Sequence, residues 1–337
     1  MIKLAVNGFG RIGRAAFKIA VERPDLEIVA INDLMSPKVL AHLLQYDSVF
    51  GKFQQPVTSD DKHIIVNGKE FLVVSEKEPE KLPWKDLAVD VVLECTGRMT
   101  QAEEAKKHIT AGAKRVIISA PAKGDDVMTF LMGVNTDDYQ KQEVVSNASC
   151  TTNSLGPVVE IMQRMFGIDK MMMTTIHSYT TEQNLVDGPS PALHNDMRRA
   201  RAAAINIVPT STGAATATTK VIPELLGKFD GLAIRVPTPC GSLSDITMVL
   251  KKPATKEEIN RAFANEAQTP RYSGILSYTN LPLVSSDIIG LPFSAIVDGS
   301  LTQVVEGTLA KVVAWYDNEW GYANRLVELA VLIGASL

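Results

Sequence analysis

The first thirteen residues constrain the fold more than any other segment. Ile2-Lys3-Leu4-Ala5-Val6 is a short apolar run that breaks at Asn7-Gly8-Phe9-Gly10-Arg11-Ile12-Gly13. A G-x-G-x-x-G between a strand and a helix has a definite geometric use. The first glycine makes the tight turn, the second lets a pyrophosphate approach the backbone, and the third lets the helix pack closely on the strand. Gly8, Gly10 and Gly13 hold those three places, and the alanine-rich stretch 15–21 suits the crossover helix. A second strand, Glu27-Ile28-Val29-Ala30-Ile31-Asn32, ends at Asp33, 20 positions past Gly13. An acid at that place can bind both ribose hydroxyls of NAD and repel a 2′-phosphate. A tight turn in some other α/β unit would account for the glycines alone. It would not supply strand, helix, second strand and acid in that order.

The alternation continues. Val89–Cys95 reads as a strand ending at Thr96-Gly97, 101–111 as a helix, and Arg115–Ser119 as a further strand stopping at Ala120-Pro121. The turns after such strands lie at the carboxyl edge of a parallel sheet, where ligands bind. With 337 residues the chain exceeds the usual size of one hydrophobic core, so two domains are expected. At 45% apolar and 21% charged it is an ordinary globular composition, and the formal charge of −4 gives no electrostatic case for nucleic acid. Three scattered cysteines (Cys95, Cys150, Cys240) argue against a disulfide framework and for a reducing compartment. The chain enters a strand at once, leaving no room for a signal peptide, and no apolar run approaches membrane-spanning length. The expectation is a cytoplasmic protein.

From about residue 150 the pattern changes. Strand-like runs at Met171–Ser178, Gly231–Val236, Leu243–Lys251 and Leu309–Trp315 come without regular intervening helices, which predicts a mixed or antiparallel sheet. Amphipathic helices are expected at Lys256–Ala267 and Trp320–Ile333, and Tyr179–Asn206 is irregular. The fold expected is therefore α/β: an N-terminal Rossmann-type doubly wound sheet over residues 1–149, and a C-terminal α+β catalytic domain over 150–319. The terminal helix, 320–337, is expected to pack back on the first domain.

The junction, Ser146-Asn147-Ala148-Ser149-Cys150-Thr151-Thr152-Asn153, places one cysteine among hydroxyl and amide residues. It lies between an emerging strand and the helical spacing of Val158–Phe166. A thiol at a helix start faces unsatisfied backbone N–H groups and the positive end of the dipole, which favour thiolate. A buried structural cysteine is the competing reading. His177 closes a strand of the new domain and is a plausible general base for that thiol. Thr180, Arg199, Thr212, Gly213 and Arg235 add hydroxyl, backbone and guanidinium donors suited to phosphate; salt bridges to acids are the alternative for any single arginine.

Over essentially its whole length the chain resembles the phosphorylating glyceraldehyde-3-phosphate dehydrogenases. The segments that carry the resemblance are Asn7–Arg14 (NGFGRIGR), Ala148–Asn153 (ASCTTN), His177–Gln183 (HSYTTEQ), Asn206–Ala214 (NIVPTSTGA), Arg235–Pro239 (RVPTP) and Trp315–Tyr322 (WYDNEWGY). The resemblance implies that Cys150 attacks an aldehyde, that His177 activates the thiol and takes the hydroxyl proton, and that inorganic phosphate cleaves the resulting thioester. It implies Thr180 and Arg235 for the phosphate of a triose phosphate substrate, and Ser149, Thr151, Arg199, Thr212 and Gly213 for the attacking phosphate. Arg11, Ile12, Asp33, Lys77, Thr96, Ser119 and Asn318 match cofactor-contacting positions for NAD, with Tyr322 near the nicotinamide. It also implies a homo-oligomer, a tetramer.

Some positions depart from the common pattern. Ser154 stands where many members have a second cysteine, and Cys240-Gly241 replaces the usual Asn-Val after RVPTP. Gly188–Met197 is about four residues longer than in typical bacterial members of the family it resembles. Pro157 would disturb the helix after Cys150 unless it falls in the first turns or kinks it. The runners-up are an erythrose-4-phosphate dehydrogenase, from which HSYTTEQ, PTSTGAA and RVPTP argue away, and a non-catalytic NAD-binding protein, against which Cys150, His177 and Arg235 argue.

Overall fold

In the computed structural model, which describes residues 1–189 and 196–337, strand Ile2–Asn7 is the centre of a nine-stranded sheet. The order is Met128–Thr129, Val144–Ser146, Arg115–Ile118, Val91–Glu94, Ile2–Asn7, Leu26–Asn32, Lys69–Val74, His63–Val66 and Val57–Ser59. The first seven are parallel and the last two fold back antiparallel as an edge. The chain runs from Ile2–Asn7 to one neighbour, Leu26–Asn32, and later crosses to the other, Val91–Glu94. That reversal is a switch point, and it opens a crevice beyond the carboxyl ends of these three strands. Leu4, Ala5, Val6, Val92 and Leu93 are fully buried, as a strand covered on both faces requires. Between Asp33 and Val89, where sequence reasoning places no element, the chain forms helix Pro37–Gln45 and the edge strands.

Met1–Ser149 and Ala323–Leu337 make up this compact unit, and Cys150–Tyr322 make up a second. The terminal segment lies against the first strand: a Cβ on Gly334 would be 2.5 Å from the Ile2 side chain.

The second unit holds a mixed sheet in the order Val208–Ser211, Phe229–Val236, Ile168–Ser178, Ser242–Leu250, Leu309–Tyr316, Ala295–Asp298 and Leu276–Thr279. Ser242–Leu250 alternates buried and half-buried residues without a break, the signature of a sheet with one face in the core. Helix Cys150–Phe166 packs on the sheet, and its residues 151–159 are all buried. The helix starts eight residues before its apolar periodicity becomes visible and runs through Pro157, so Asn153 has no Pro157 N–H to bond. Helix Ala214–Val221 packs beside it.

Candidate active site

The glycine turn in the first unit is explained by space. Gly8 sits at φ +92, and a Cβ there would be 2.7 Å from the Thr96 backbone nitrogen. A Cβ on Gly13 would be 2.1 Å from the Gly8 carbonyl oxygen, so helix Arg11–Ala20 can approach the strand only through glycine. A Cβ on Gly10 would meet nothing within 4 Å. Its side faces open space, in keeping with a ligand rather than the protein setting that position. Gly8, Gly10, Asp33, Lys77 and Thr96 line one cavity of about 370 Å³ at the switch point. Asp33 is held across its mouth: one oxygen accepts the Phe9 N–H at 2.8 Å and the other the Met35 N–H at 3.0 Å.

Arg11 presents its guanidinium elsewhere, to Asp47 at 2.6 Å and over the Phe50 ring. Neither it nor Ile12 lines the cavity; both lie in the first turn of helix Arg11–Ala20, directly after Gly10, where aligned N–H groups favour anions. Ser119 does not line the cavity; its N–H bonds the Glu94 carbonyl at 3.0 Å, and its hydroxyl reaches the Cys95 thiol. Burial pushes that thiol up to about 12, so Cys95 is a packed strand-end residue.

Behind the cavity runs a buried polar chain that sequence reasoning missed. The Trp84 Nε1–H donates to His108 Nδ1 at 3.0 Å, which leaves the other ring nitrogen to donate to Glu94 Oε2 at 3.1 Å. Asn7 Nδ2 donates to the same carboxylate, Asn32 Nδ2 donates to Asn7 Oδ1 at 2.7 Å, and Glu94 Oε1 accepts the N–H and hydroxyl of Thr96. Glu94 thus ties together the three strand ends that frame the cavity. A glutamate closing an apolar strand was the available signal.

In the second unit Cys150 is the first residue of helix Cys150–Phe166. It follows Ala148, a buried non-glycine residue at φ +53, so the turn that aims the cysteine is strained. Sγ lies 3.4 Å from His177 Nε2. His177 Nδ1 is 2.7 Å from the Ser178 carbonyl oxygen, which can only accept. The proton is therefore on Nδ1, and Nε2 faces the thiol as an acceptor. Burial pushes His177 down to about 3, with Arg235 adding to the effect. The expectation that the helix terminus favours thiolate meets a stronger opposing effect: burial pushes Cys150 up to about 11, against Arg235 and the hydrogen bonds of Thr151 and the Cys150 N–H. Thiol and imidazole are both neutral near pH 7, a pair set to exchange one proton.

Strand pairing brings the remaining groups to this pair. Ile168–Ser178 and Phe229–Val236 run parallel with His177 opposite Arg235. Arg235 Nη1 donates to the Ser178 carbonyl at 3.1 Å and to Thr180 Oγ1 at 2.8 Å, so one carbonyl orients both the imidazole and the guanidinium. Arg199, on the short helix Met197–Ala200, donates from Nε to Thr210 Oγ1 at 2.9 Å and from Nη2 to the Ser211 carbonyl at 3.2 Å. Ser211 adjoins Thr212 and Gly213, and Gly213 caps helix Ala214–Val221. The Thr151 hydroxyl is 3.0 Å from the Tyr316 hydroxyl, which is 2.7 Å from Thr175 Oγ1. Tyr316 and Glu182, which bridges Arg199 and Arg235, went unremarked in the sequence although both lie inside the quoted segments. Ser149 directly precedes the nucleophile.

Asn318 and Tyr322 are buried in this second unit. The Asn318 Oδ1 accepts the Ser242 hydroxyl at 2.8 Å and the Gly241 N–H at 3.2 Å, which leaves its amide NH₂ to do the donating. Cys240 lies beneath, its Sγ 3.1 Å from Asp317 Oδ1, and burial and that carboxylate push its thiol far up. It is inert. Of the long segment 188–197, residues 190–195 lie outside the described residues.

Comparison with known proteins identifies the family. The family described as "Glyceraldehyde 3-phosphate dehydrogenase, NAD binding domain" matches residues 2–102, and "Glyceraldehyde 3-phosphate dehydrogenase, C-terminal domain" matches residues 149–318. The chain is 51% identical to glyceraldehyde-3-phosphate dehydrogenase 2 of Streptomyces arenae over 339 residues, covering 100% of this chain and 99% of that protein. It is 50% identical to glyceraldehyde-3-phosphate dehydrogenase of Geobacillus stearothermophilus, covering 99% and 98%. It is 52% identical to that of Borreliella burgdorferi, covering 98% of each.

Proposed function

The chain belongs to the glyceraldehyde 3-phosphate dehydrogenase family, and from that premise we propose that it oxidises D-glyceraldehyde 3-phosphate to 1,3-bisphosphoglycerate, consuming NAD and inorganic phosphate. The observation that carries the mechanism is the 3.4 Å approach of Cys150 Sγ to a His177 Nε2 whose tautomer is fixed by Ser178.

NAD, when bound, supplies the hydride acceptor. Gly8, Gly10, Asp33, Lys77 and Thr96 would hold it, with the backbone of Arg11, Ile12 and Gly13 at the helix start and Ser119 at its strand end; the family resemblance implies Asn318 and Tyr322 as further contacts. The open side of Gly10 and the carboxylate of Asp33 in the cavity fit such a group. As Cys150 Sγ bonds to the aldehyde carbon, Nε2 of His177 takes the thiol proton. The resulting imidazolium and the Cys150 N–H stabilise the developing oxyanion. The imidazolium returns its proton to that oxygen, giving the hemithioacetal hydroxyl, and the neutral His177 then accepts the hydroxyl proton as hydride leaves the carbon, so that a thioester remains on Sγ. A phosphate oxygen attacks the thioester carbon, the C–S bond breaks, and the acyl phosphate departs. The thioester conserves the oxidation energy that hydrolysis would lose. Thr180 and Arg235 would bind the substrate phosphate; Ser149, Thr151, Arg199, Thr212 and Gly213 would bind the attacking one.

We also propose a homo-oligomer, a tetramer, in the cytoplasm. Met172, Leu226, Leu232 and Leu309 are exposed, and Met172 and Leu309 line an apolar groove of about 780 Å³, which supports burial against a second copy. None of the three cysteines forms a disulfide, in keeping with a reducing compartment. Among the described residues no helix is long and apolar enough to cross a membrane.

The test is NADH formation with glyceraldehyde 3-phosphate, NAD and phosphate, run beside erythrose 4-phosphate and NADP. Phosphate-dependent turnover preferring the triose is expected. Preference for the tetrose, or turnover indifferent to phosphate, would overturn the substrate assignment.

A further inference from the structure

Between the two arginines assigned to phosphate lies a carboxylate. Glu182 Oε1 pairs with Nη1 of Arg199 and, at 3.2 Å, with Nη2 of Arg235. One oxygen thus bridges two guanidiniums, the contact a phosphate oxygen would make. Arg199 also donates to Thr210 and the Ser211 carbonyl, and Arg235 Nη1 to the Ser178 carbonyl and Thr180, while Arg235 Nε is buried without a partner among the described residues. The Nη1 of Arg199 and the Nη2 of Arg235 that meet Glu182 are donors an incoming anion would also use. The arginine side chains are 8% and 11% exposed, whereas Glu182 is 28% exposed and sits in a turn. The carboxylate is the most exposed member of the trio.

The geometry points to Glu182 as an internal anion that competes with phosphate for Arg199 and Arg235 and so sets how tightly phosphate groups are held. The inference rests on the reading that these arginines bind phosphate. Two nearly buried guanidiniums repel one another, and removing their counter-ion would leave uncompensated charge in the protein. Glu182 neutralises half of that charge. A phosphate dianion entering the same space meets the carboxylate as a like charge and must displace it. Binding is weakened, and release of the acyl phosphate is correspondingly eased. Tight uniform binding of phosphate would not raise turnover, so a counter-ion that limits it is compatible with catalysis.

Glu182→Gln keeps the shape and removes the charge. The expected results are a phosphate KM lowered about tenfold, with kcat unchanged or reduced by slower release. A lower Tm without phosphate and a larger Tm rise on adding inorganic phosphate than in the wild type are also expected. A raised phosphate KM, or an unchanged phosphate-induced Tm rise, would overturn the inference and make Glu182 an orienting group for the arginines. Should that variant fail to fold, Glu182→Asp carries the test: drawn back by one methylene, it is expected to lower phosphate KM about threefold. An unchanged or raised KM there would equally overturn it. Arg235→Gln separates the two levels of argument. If it leaves both triose-phosphate and phosphate KM intact, the phosphate assignment fails. If it raises them while the Glu182 variants do not tighten phosphate, only the present inference fails.

Discussion

The two regions proposed to receive phosphate groups are made of opposite materials. In the first unit the part that would face phosphate is backbone: a glycine turn, the start of helix Arg11–Ala20, and strand ends fastened by Glu94, with Asp33 and Lys77 bringing side chains to the same cavity. The basic side chain nearest in sequence, Arg11, is turned to Asp47. In the second unit the anion site is side chain: two nearly buried guanidiniums, with hydroxyls and a carboxylate around them. Backbone N–H groups carry partial charge, so they can be held ready without a counter-ion. Buried guanidiniums cannot, and Glu182 is the result. The first region should therefore be sensitive to added volume, the second to altered charge. Because the nucleophile and its base lie in the second, chemistry and cofactor binding should be separable by mutation.

The largest effect tests that separation. Cys150→Ser should reduce triose phosphate oxidation by at least about 10³-fold while NAD affinity, measured by titration, stays within a few-fold of wild type. Loss of NAD binding as well would mean the two regions are not independent. Next, His177→Asn should slow both hydride transfer and alkylation of Cys150 at neutral pH by roughly 10²-fold or more. Normal alkylation would transfer the activation of the thiol to the helix terminus. This variant has a second readout. Burial holds His177 down to about 3, so the unfolded imidazole binds protons that the folded one refuses. The folded state is thus favoured fully above the ordinary histidine value near 6.5 and loses that advantage as pH falls toward about 3. His177→Asn should flatten the acid limb of a stability–pH curve over that window, and an unchanged limb would show that His177 is not held neutral.

The same contrast decides what could be read before the structure was seen. Gly8, Gly10, Gly13 and Asp33 belong to one local strand–turn–helix–strand, and each reports on its own backbone, so spacing alone assigned them a place. The active pair does not work that way. That His177 stands opposite Arg235 depends on the register of two parallel strands, and register is set by packing across the whole sheet. Residue types offered His177 as a base for the Cys150 thiol, but only resemblance gave Arg235 its particular place beside them. Glu94 and His108 were missed because both sit at the edges of apolar runs, where a buried polar pair looks like a strand end and a helix face. Glu182 was passed over because an acid in a polar loop reads as solvated until two arginines are brought to it. The start of helix Cys150–Phe166 was legible from the polar junction at Cys150, although Ser, Thr, Asn and Pro157 are poor helix formers whose preferences are overridden by burial in the second unit.

Volume is the lever on the first region. Gly13→Ala places a Cβ 2.1 Å from the Gly8 carbonyl, and no flexible side chain is there to yield. A loss of about 3 kcal/mol in stability is expected by denaturant unfolding. Gly10→Ala meets nothing within 4 Å, so stability should barely change while NAD affinity falls about tenfold. If Gly10→Ala proved as destabilising as Gly13→Ala, the open side of Gly10 would not be reserved for a ligand.

The smallest effect asks whether charge matters in the first region after all. Asp33 is the acid in its cavity that is already braced by two backbone N–H groups, and its position is therefore fixed before any ligand arrives. A 2′-phosphate brought to that carboxylate would be repelled, and at the high effective dielectric of an open cleft the penalty is only about 1–2 kcal/mol. Asp33→Ala should thus shift the ratio of NADP to NAD efficiency by about tenfold toward NADP, partly through weaker NAD binding, with kcat for NAD little altered. An unchanged ratio, measured at matched ionic strength, would move cofactor discrimination away from the switch-point cavity. The long segment 188–197 would then be the next place to substitute, and the carboxylate of Asp33 would not be what the cleft uses to tell the two cofactors apart.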